Sequence, residues 1–436
     1  RAALCRSCCD LPRGFAARTV MMAVTSTPVF LSLTPRDEAW RILCNHLPPG
    51  PRVIEQVPLL DAAGRLLARD VMSSIDLPGF ARSTMDGYAV RAVDTFGTSD
   101  ALPALLTIAG EVCMGEEARM DLPRHSCVRV ATGAMLPAWA DAVVMVELTE
   151  EIDDTTIAVL RPVAPGENVV AADEDVARGE VLLAGGRVLR EHDIAALAAV
   201  GVMNVEVSAR PRVGIISTGD ELVDVGDVPA PGQVRDMNSY ALHAAVRLAG
   251  GLPKMLGIVR DDYASLVQAM HDALPQVDML MVSGGSSIGT RDFAREAARE
   301  GSGKKSLFHG VAVKPGKPTI MAVADGVPVF GLPGHPVSCL TIFRLLVEPA
   351  IARMMGGELA RRELSARIGA NVASAAGREE YVSVRIARRD GETWADPIFS
   401  KSALISGLAQ ADGVARIPAG IEGVQKGDTV TVLAWR

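Results

Sequence analysis

From Asp278 to Gly289 the chain reads Asp-Met-Leu-Met-Val-Ser-Gly-Gly-Ser-Ser-Ile-Gly. A short apolar run opens into a Gly/Ser loop, and a helical pattern begins at about Asp292. Gly284 and Gly285 let the backbone approach a ligand closely. Successive N–H groups, with Ser283, Ser286 and Ser287, are able to cradle a phosphate. By itself the stretch is an ordinary strand-to-helix turn, so its neighbours decide the reading.

Five further polar loops fall at expected strand ends: Ser217-Thr-Gly-Asp-Glu-Leu222, Val234-Arg-Asp-Met-Asn-Ser239, Arg260-Asp-Asp262, Lys314-Pro-Gly-Lys-Pro318 and Gly331-Leu-Pro-Gly-His-Pro-Val-Ser338. In an open α/β sheet such loops converge on one crevice at the carboxyl ends of the strands. Lys314 and Lys317 offer point charges and the Ser/Gly loop offers N–H donors, which together suit an anionic, phosphorylated ligand. Glu221, Asp261 and Asp292 would repel that ligand unless a divalent cation stood between. Mg²⁺ fits, because it takes carboxylate and phosphate oxygens together. Each acid taken alone is as readily a helix cap or a solvated loop residue. A nucleophilic hydrolase is disfavoured: His335 sits in a Pro-rich loop without an evident triad.

The elements that must position these loops alternate between strand and helix from residue 211 to 356, which predicts a mostly parallel sheet covered on both faces. Strands are expected at Arg212–Ser217, Lys254–Val259 and Asp278–Val282, and near 311–313, 319–323 and 328–331. Helices are expected at Ser239–Leu248, Tyr263–Leu274, Asp292–Glu300 and Val337–Met355. Residues 81–178 are short β segments broken by Gly, Pro and Asp. Residues 357–436 read as a small all-β module with turns at Asp390-Gly391, Asp412-Gly413 and Lys426-Gly-Asp428.

The chain of 436 residues, 49% hydrophobic and 22% charged, is long enough for several cores. A formal net charge of -8 and 4% aromatic residues argue against a nucleic-acid partner. No apolar run approaches the roughly 20 residues that span a bilayer. Cys5, Cys8 and Cys9 lack a second ligand pair for zinc. Cys44, Cys113, Cys127 and Cys339 lie among apolar residues and are expected to be buried, reduced thiols, which favours a reducing compartment. Residues 1–33 are expected to be a disordered extension. Their Arg-rich start is only weakly like a transit peptide.

Taken in order, these motifs resemble the molybdopterin molybdenumtransferase family, to which the C-terminal half of gephyrin belongs. The likeness runs from about Thr34 to Arg436. It rests on Ser83-Thr-Met-Asp-Gly-Tyr-Ala-Val90, Thr132-Gly-Ala with Ala140-Asp-Ala-Val-Val-Met-Val-Glu147, Ser217-Thr-Gly-Asp-Glu-Leu222, Ser283-Gly-Gly-Ser-Ser-Ile-Gly289, Lys314-Pro-Gly-Lys-Pro318 and Gly331-Leu-Pro-Gly-His-Pro-Val-Ser338.

The resemblance implies an elongated cytoplasmic homodimer of four-domain subunits. The first domain is discontinuous (34–53, 73–80 and 179–210) and the second is β-rich (54–72 and 81–178). The third is the α/β molybdopterin-binding domain (211–356), and the fourth is a C-terminal β-barrel (357–436). It further implies an Mg²⁺-dependent enzyme that inserts molybdate into adenylylated molybdopterin with release of AMP, at a site between the third domain of one subunit and the second domain of the other. By match to the motifs, Asp86, Thr132 and Asp175 face that site from the second domain. Glu221, Asp261, Asp292 and Lys314 line it from the third, and Ser402 approaches from the fourth.

Asp261 and Asp292, with Glu221, are assigned to Mg²⁺, and Lys314 and Lys317 to phosphate or molybdate charge. Asp86 and Asp175 would orient water or oxo groups. Ser217, Thr218, Gly219, Ser283, Gly284, Gly285, Ser286, Pro333 and Gly334 complete the substrate-binding set. The pattern departs from the family at His335, where many members have Asn, at Gly310, where some have a lysine, at Asp173 of Asp173-Glu174-Asp175, and at Ser400-Lys401-Ser402. Contact with other enzymes of the same pathway is a further expectation. The competing readings are a gephyrin-like scaffold and a non-catalytic pterin- or nucleotide-binding module.

Overall fold

The computed structural model describes residues 33–48, 50–51, 53–121, 123–284, 304–358 and 362–435. Its central unit is a six-stranded sheet in the order Leu252–Val259, Arg212–Thr218, Met279–Ser283, Val327–Leu332, Ile320–Ala324, Lys304–His309. The first four strands are parallel, and the last two are added antiparallel. Arg212–Thr218 and Met279–Ser283 are almost wholly buried, as their unbroken apolar runs require when helices cover both faces. Alternate residues supply two cores. Ile215, Met279 and Met281 pack with Leu242 and Val246 of helix Met237–Leu248, while Ile216, Leu280 and Val282 pack with Leu266 and Met270 of helix Tyr263–Ala273. Asp236 and Asp262 cap these helices by accepting from Ser239 N (3.1 Å) and Ser265 N (2.9 Å).

The single helix expected over Val337–Met355 is interrupted. Helix Pro336–Ile342 passes through a π turn at Phe343–Val347 into helix Glu348–Met354. Pro349 has no N–H to continue the ladder, and the wider turn absorbs that defect.

The β-rich unit is a six-stranded sheet ordered Ala142–Met145, Gly87–Val90, Ser126–Val130, Ala104–Val112, Thr156–Val159, Thr149–Asp153. The C-terminal unit is a barrel. Glu379–Arg389 pairs with both Glu392–Pro397 and Gly413–Ile417, and Glu363–Ile368 and Thr429–Ala434 close the circuit. The expected Asp390-Gly391 turn joins its first two strands with positive φ at both residues (50° and 79°), the geometry a tight hairpin demands.

Three expectations need correction. Residues 54–72 do not belong to the β-rich sheet. Ile54–Pro58 pairs antiparallel with Asn204–Ser208, and Val71–Met72 with Val181–Leu183, around a core of Ala62, Leu67, Leu189, Leu197 and Val207. A half-buried strand carries no signal naming its distant mate, so alternation alone misassigned it. Helix Arg36–Cys44 likewise leaves the first domain, because Ala39 and Leu43 pack with Val311 and Val313 in the α/β core. Finally, Cys127 and Cys339 are buried as expected, but Cys113 is exposed and Cys44 only partly covered.

Candidate active site

A cavity of about 1460 Å³ opens where the carboxyl ends of the α/β strands face the barrel. Thr218, Gly219, Glu221, Asp261, Ser283, Gly284, Lys314, Lys317, Pro333, Gly334 and Ser402 all line it. Loops far apart in sequence therefore meet, as the strand-end rule requires.

Gly284 shows why the backbone must be bare at this point. Its φ is +91°, and a Cβ there would lie 2.1 Å from the Thr218 carbonyl oxygen. Two strand ends thus touch through a residue with no side chain. Gly334 approaches from the third strand end; a Cβ on it would lie 3.6 Å from Gly284 Cα.

Asn238 ties two of these loops, those of Gly284 and Gly334, to its own. Its Nδ2 donates to Gly334 O (2.7 Å) and meets Ser283 Oγ at 2.9 Å, and its Oδ1 is buried without a hydrogen-bond partner. The Gly334 carbonyl can only accept, which fixes the amide orientation. Beneath them Cys339 is fully buried. Burial pushes its thiol up to about 12, with the Ser283 hydroxyl opposing, so it packs as an inert neutral group.

On the acidic side, Thr218 Oγ1 lies 3.3 Å from Asp261 Oδ1 and Asp261 N donates to Asp220 Oδ1 (3.2 Å). Among the described residues no group of three or more His, Cys, Asp or Glu gathers as a metal site. Glu221 and Asp261 nonetheless place two hard-oxygen donors on the wall that also carries Lys314 and Lys317. That set suits Mg²⁺, which takes one or two carboxylates and draws its remaining ligands from water and substrate phosphate.

On the barrel side, Lys314 Nζ pairs with Glu380 Oε1 at 2.7 Å, and His335 Nδ1 meets Ser402 Oγ at 2.9 Å. The two departures His335 and Lys401 both line the cavity, so the substituted histidine bridges the α/β and barrel units. Gly310 does not line it. Its backbone instead pairs with Thr319 O (2.8 Å) and Thr34 N (3.0 Å).

Not every expected residue is on the wall. Ser217 is completely buried in its strand and does not line the cavity. Asp292, Gly285 and Ser286 lie outside the described residues. Asp86, Thr132 and Asp175 do not line this cavity; Asp86 and Thr132 sit on the β-rich unit, and Asp175 N donates to Leu77 O (3.0 Å). Asp86 Oδ1 accepts from Thr132 N (2.7 Å) and Thr132 Oγ1 (2.9 Å), and these bonds hold its carboxyl below the usual carboxylate range. Sequence reasoning missed Arg378 and Glu380, which line the cavity from just before and within barrel strand Glu379–Arg389, with no motif to mark them. Asn238 was inside a flagged loop, and its place just after the capping Asp236 was the available signal.

Comparison with known proteins covers nearly the whole chain. Residues 34–201 match the "MoeA N-terminal region (domain I and II)", 214–353 the "Probable molybdopterin binding domain", and 365–435 the "MoeA C-terminal region (domain IV)". The molybdopterin molybdenumtransferase of Bacillus subtilis is 34% identical over 407 residues, covering 92% of this chain and 94% of its own. That of Staphylococcus aureus (strain Mu50) is 31% identical over 401 residues, covering 92% and 95%. The crystal structure of the molybdopterin biosynthesis moeA protein from Pyrococcus horikoshii OT3 superposes with a TM-score of 0.82 at 33% identity, over 92% of this chain and all of that one. Carrying this cavity on this arrangement of units, the chain belongs to the molybdopterin molybdenumtransferase family and has a role in molybdenum cofactor biosynthesis.

Proposed function

We propose that the protein is an Mg²⁺-dependent molybdenumtransferase that inserts molybdate into adenylylated molybdopterin and releases AMP. The observation that supports this most is the meeting of Lys314, Lys317, Glu221 and Asp261 on one large cavity beside a glycine-lined strand end. Breaking a phosphoanhydride asks for fixed charge and positioning more than for a protein nucleophile. Lys314 and Lys317 face the phosphate or the molybdate oxyanion. Gly284 and Gly334 let the ligand lie against the backbone, and Asn238 holds their loops in register. Glu221 and Asp261, with Asp292, would hold Mg²⁺, which when bound neutralises phosphate oxygens and polarises the leaving group.

Asp86, Thr132 and Asp175 lie away from the cavity of their own chain. Their assignment to the reaction therefore requires a homodimer in which one subunit offers them to the cavity of the other. Asp86, kept ionised by Thr132, is then an acceptor for water or oxo groups during metal transfer. Free cysteines support action in the reducing cytoplasm. Handover to or from other enzymes of the pathway would use the open side of the cavity.

The test is reconstitution. Purified protein incubated with adenylylated molybdopterin, molybdate and Mg²⁺ should activate an apo-molybdoenzyme, and EDTA should abolish that activation. Binding of the adenylylated pterin without activation would instead identify a non-catalytic binding module.

A further inference from the structure

Lys314 and Glu380 come from different units of the fold. Val313–Lys314 runs parallel to the start of barrel strand Glu379–Arg389, with Lys314 opposite Glu380. Glu379 N donates to Ala312 O (3.0 Å), which stitches the lysine loop to the barrel. Both side chains line the cavity, Lys314 about half exposed and Glu380 nearly covered. Glu380 Oε2 is buried with no hydrogen-bond partner. A carboxylate so covered, with one oxygen unsatisfied, needs a counter-charge. Lys314, 2.7 Å from the other oxygen, supplies it. Lys317 and Arg378 line the same cavity, and no ion pair joins either to a carboxylate among the described residues.

We infer that Glu380 is a positioning residue for Lys314, through which the barrel fixes one N–H of the ammonium and damps its charge toward phosphate. The inference rests on the reading above that Lys314 meets the substrate phosphate. Its physical consequence concerns the product. Three undamped cations on one wall would hold released AMP as firmly as they hold the adenylylated substrate, and such uniform binding slows turnover. Glu380 opposes that retention, and it directs the remaining ammonium N–H groups into the cavity rather than leaving a mobile side chain to find the anion.

The test uses the full-length protein, AMP as the binding probe and AMP release as the turnover readout. Glu380→Gln keeps the shape and the acceptor but removes the charge. It is expected to lower the AMP dissociation constant by about 3- to 10-fold and to reduce kcat and KM together by a similar factor. Glu380→Asp, which restores the charge, should return AMP affinity toward wild type. Lys314→Met should weaken AMP binding, and adding Glu380→Gln to it should produce no tightening, because the glutamate acts through the lysine.

Unchanged or weaker AMP binding in Glu380→Gln, beside weaker binding in Lys314→Met, would leave the phosphate reading intact and overturn the role of Glu380. A Lys314→Met variant that binds AMP like wild type would remove the phosphate reading itself, and the inference with it. Thermal melts separate folding from function. A lowered Tm in Glu380→Gln with wild-type AMP affinity and kcat marks a purely structural ion pair and also overturns the inference.

Discussion

Gly284 occupies a point where a single methyl group has nowhere to go. With φ at +91° and a backbone oxygen 2.1 Å from its would-be Cβ, Gly284→Ala must push apart two strand ends. We expect a loss of about 2–4 kcal/mol of stability and a collapse of AMP affinity; calorimetry and a titration with AMP measure both. Asp86 makes the opposite case, being exposed and held by its neighbour. Its pKa is depressed, so its ionised form persists as pH falls below the ordinary carboxylate range. A decline in the wild-type rate between pH 7 and 5 therefore cannot come from its titration, and an acid limb in that range must belong to another group. Asp86→Asn should leave AMP binding intact while abolishing metal insertion, and equal loss of both would contradict its role. At this scale the sequence was informative wherever a residue type answers a local demand. Glycines at strand ends, lysines spaced across Pro-Gly, and acids before helices were all legible. Ser217 looked like its neighbours Thr218 and Ser283, and no local pattern tells it apart; it is buried one residue before the strand end, whereas Thr218 reaches the cavity. Glu380 and Arg378 were invisible, because no local pattern distinguishes a charged residue at a strand start that faces a cavity from one that faces solvent.

At the scale of elements, the seam between the lysine loop and the barrel depends on Glu379. Its carboxylate accepts from Arg36 Nε (2.9 Å) and Tyr381 Oη (2.6 Å) and is paired with Arg416. Burial alone would raise its pKa, but the bonds from Tyr381 and Arg416 and the charge of Arg36 outweigh it and hold it below the usual range. A depressed carboxylate contributes stability above its unfolded pKa and loses it as pH falls through the folded value. Glu379→Gln should therefore melt below wild type at pH 7, by the equivalent of about 2–4 kcal/mol, and the two curves should converge in strong acid. A gap that stays constant with pH would rule out the charge as the cause. Strand and helix existence was readable here from apolar runs and caps such as Asp236 and Asp262. Partner choice was not. Ile54–Pro58 and helix Arg36–Cys44 lie beside segments more than a hundred residues away, and no local pattern names such a mate. The π turn at Phe343–Val347 was foreshadowed only by Pro349.

Across the whole molecule, two sets of residues assigned to the proposed reaction stand apart on one chain: the cavity with Lys314 and Asp261, and the β-rich unit with Asp86 and Thr132. If one subunit completes the other, an inactive Asp86→Asn protein mixed with inactive Lys314→Met under exchange should regain activity. Half of the dimers would be mixed, each with one intact site, so about a quarter of wild-type activity is expected. Mixtures that stay inactive after verified exchange would place each complete site within one chain. The order of the motifs made the α/β unit, the β-rich unit and the C-terminal barrel legible in outline, while the path by which units borrow segments from each other followed from pairing alone. The most direct measurement is the stoichiometry of AMP release from bound adenylylated molybdopterin with and without molybdate. The account predicts release only when molybdate is supplied, with one AMP freed per molybdenum acquired by the pterin. Equal release without molybdate, or retention of intact adenylylated pterin in its presence, would contradict it.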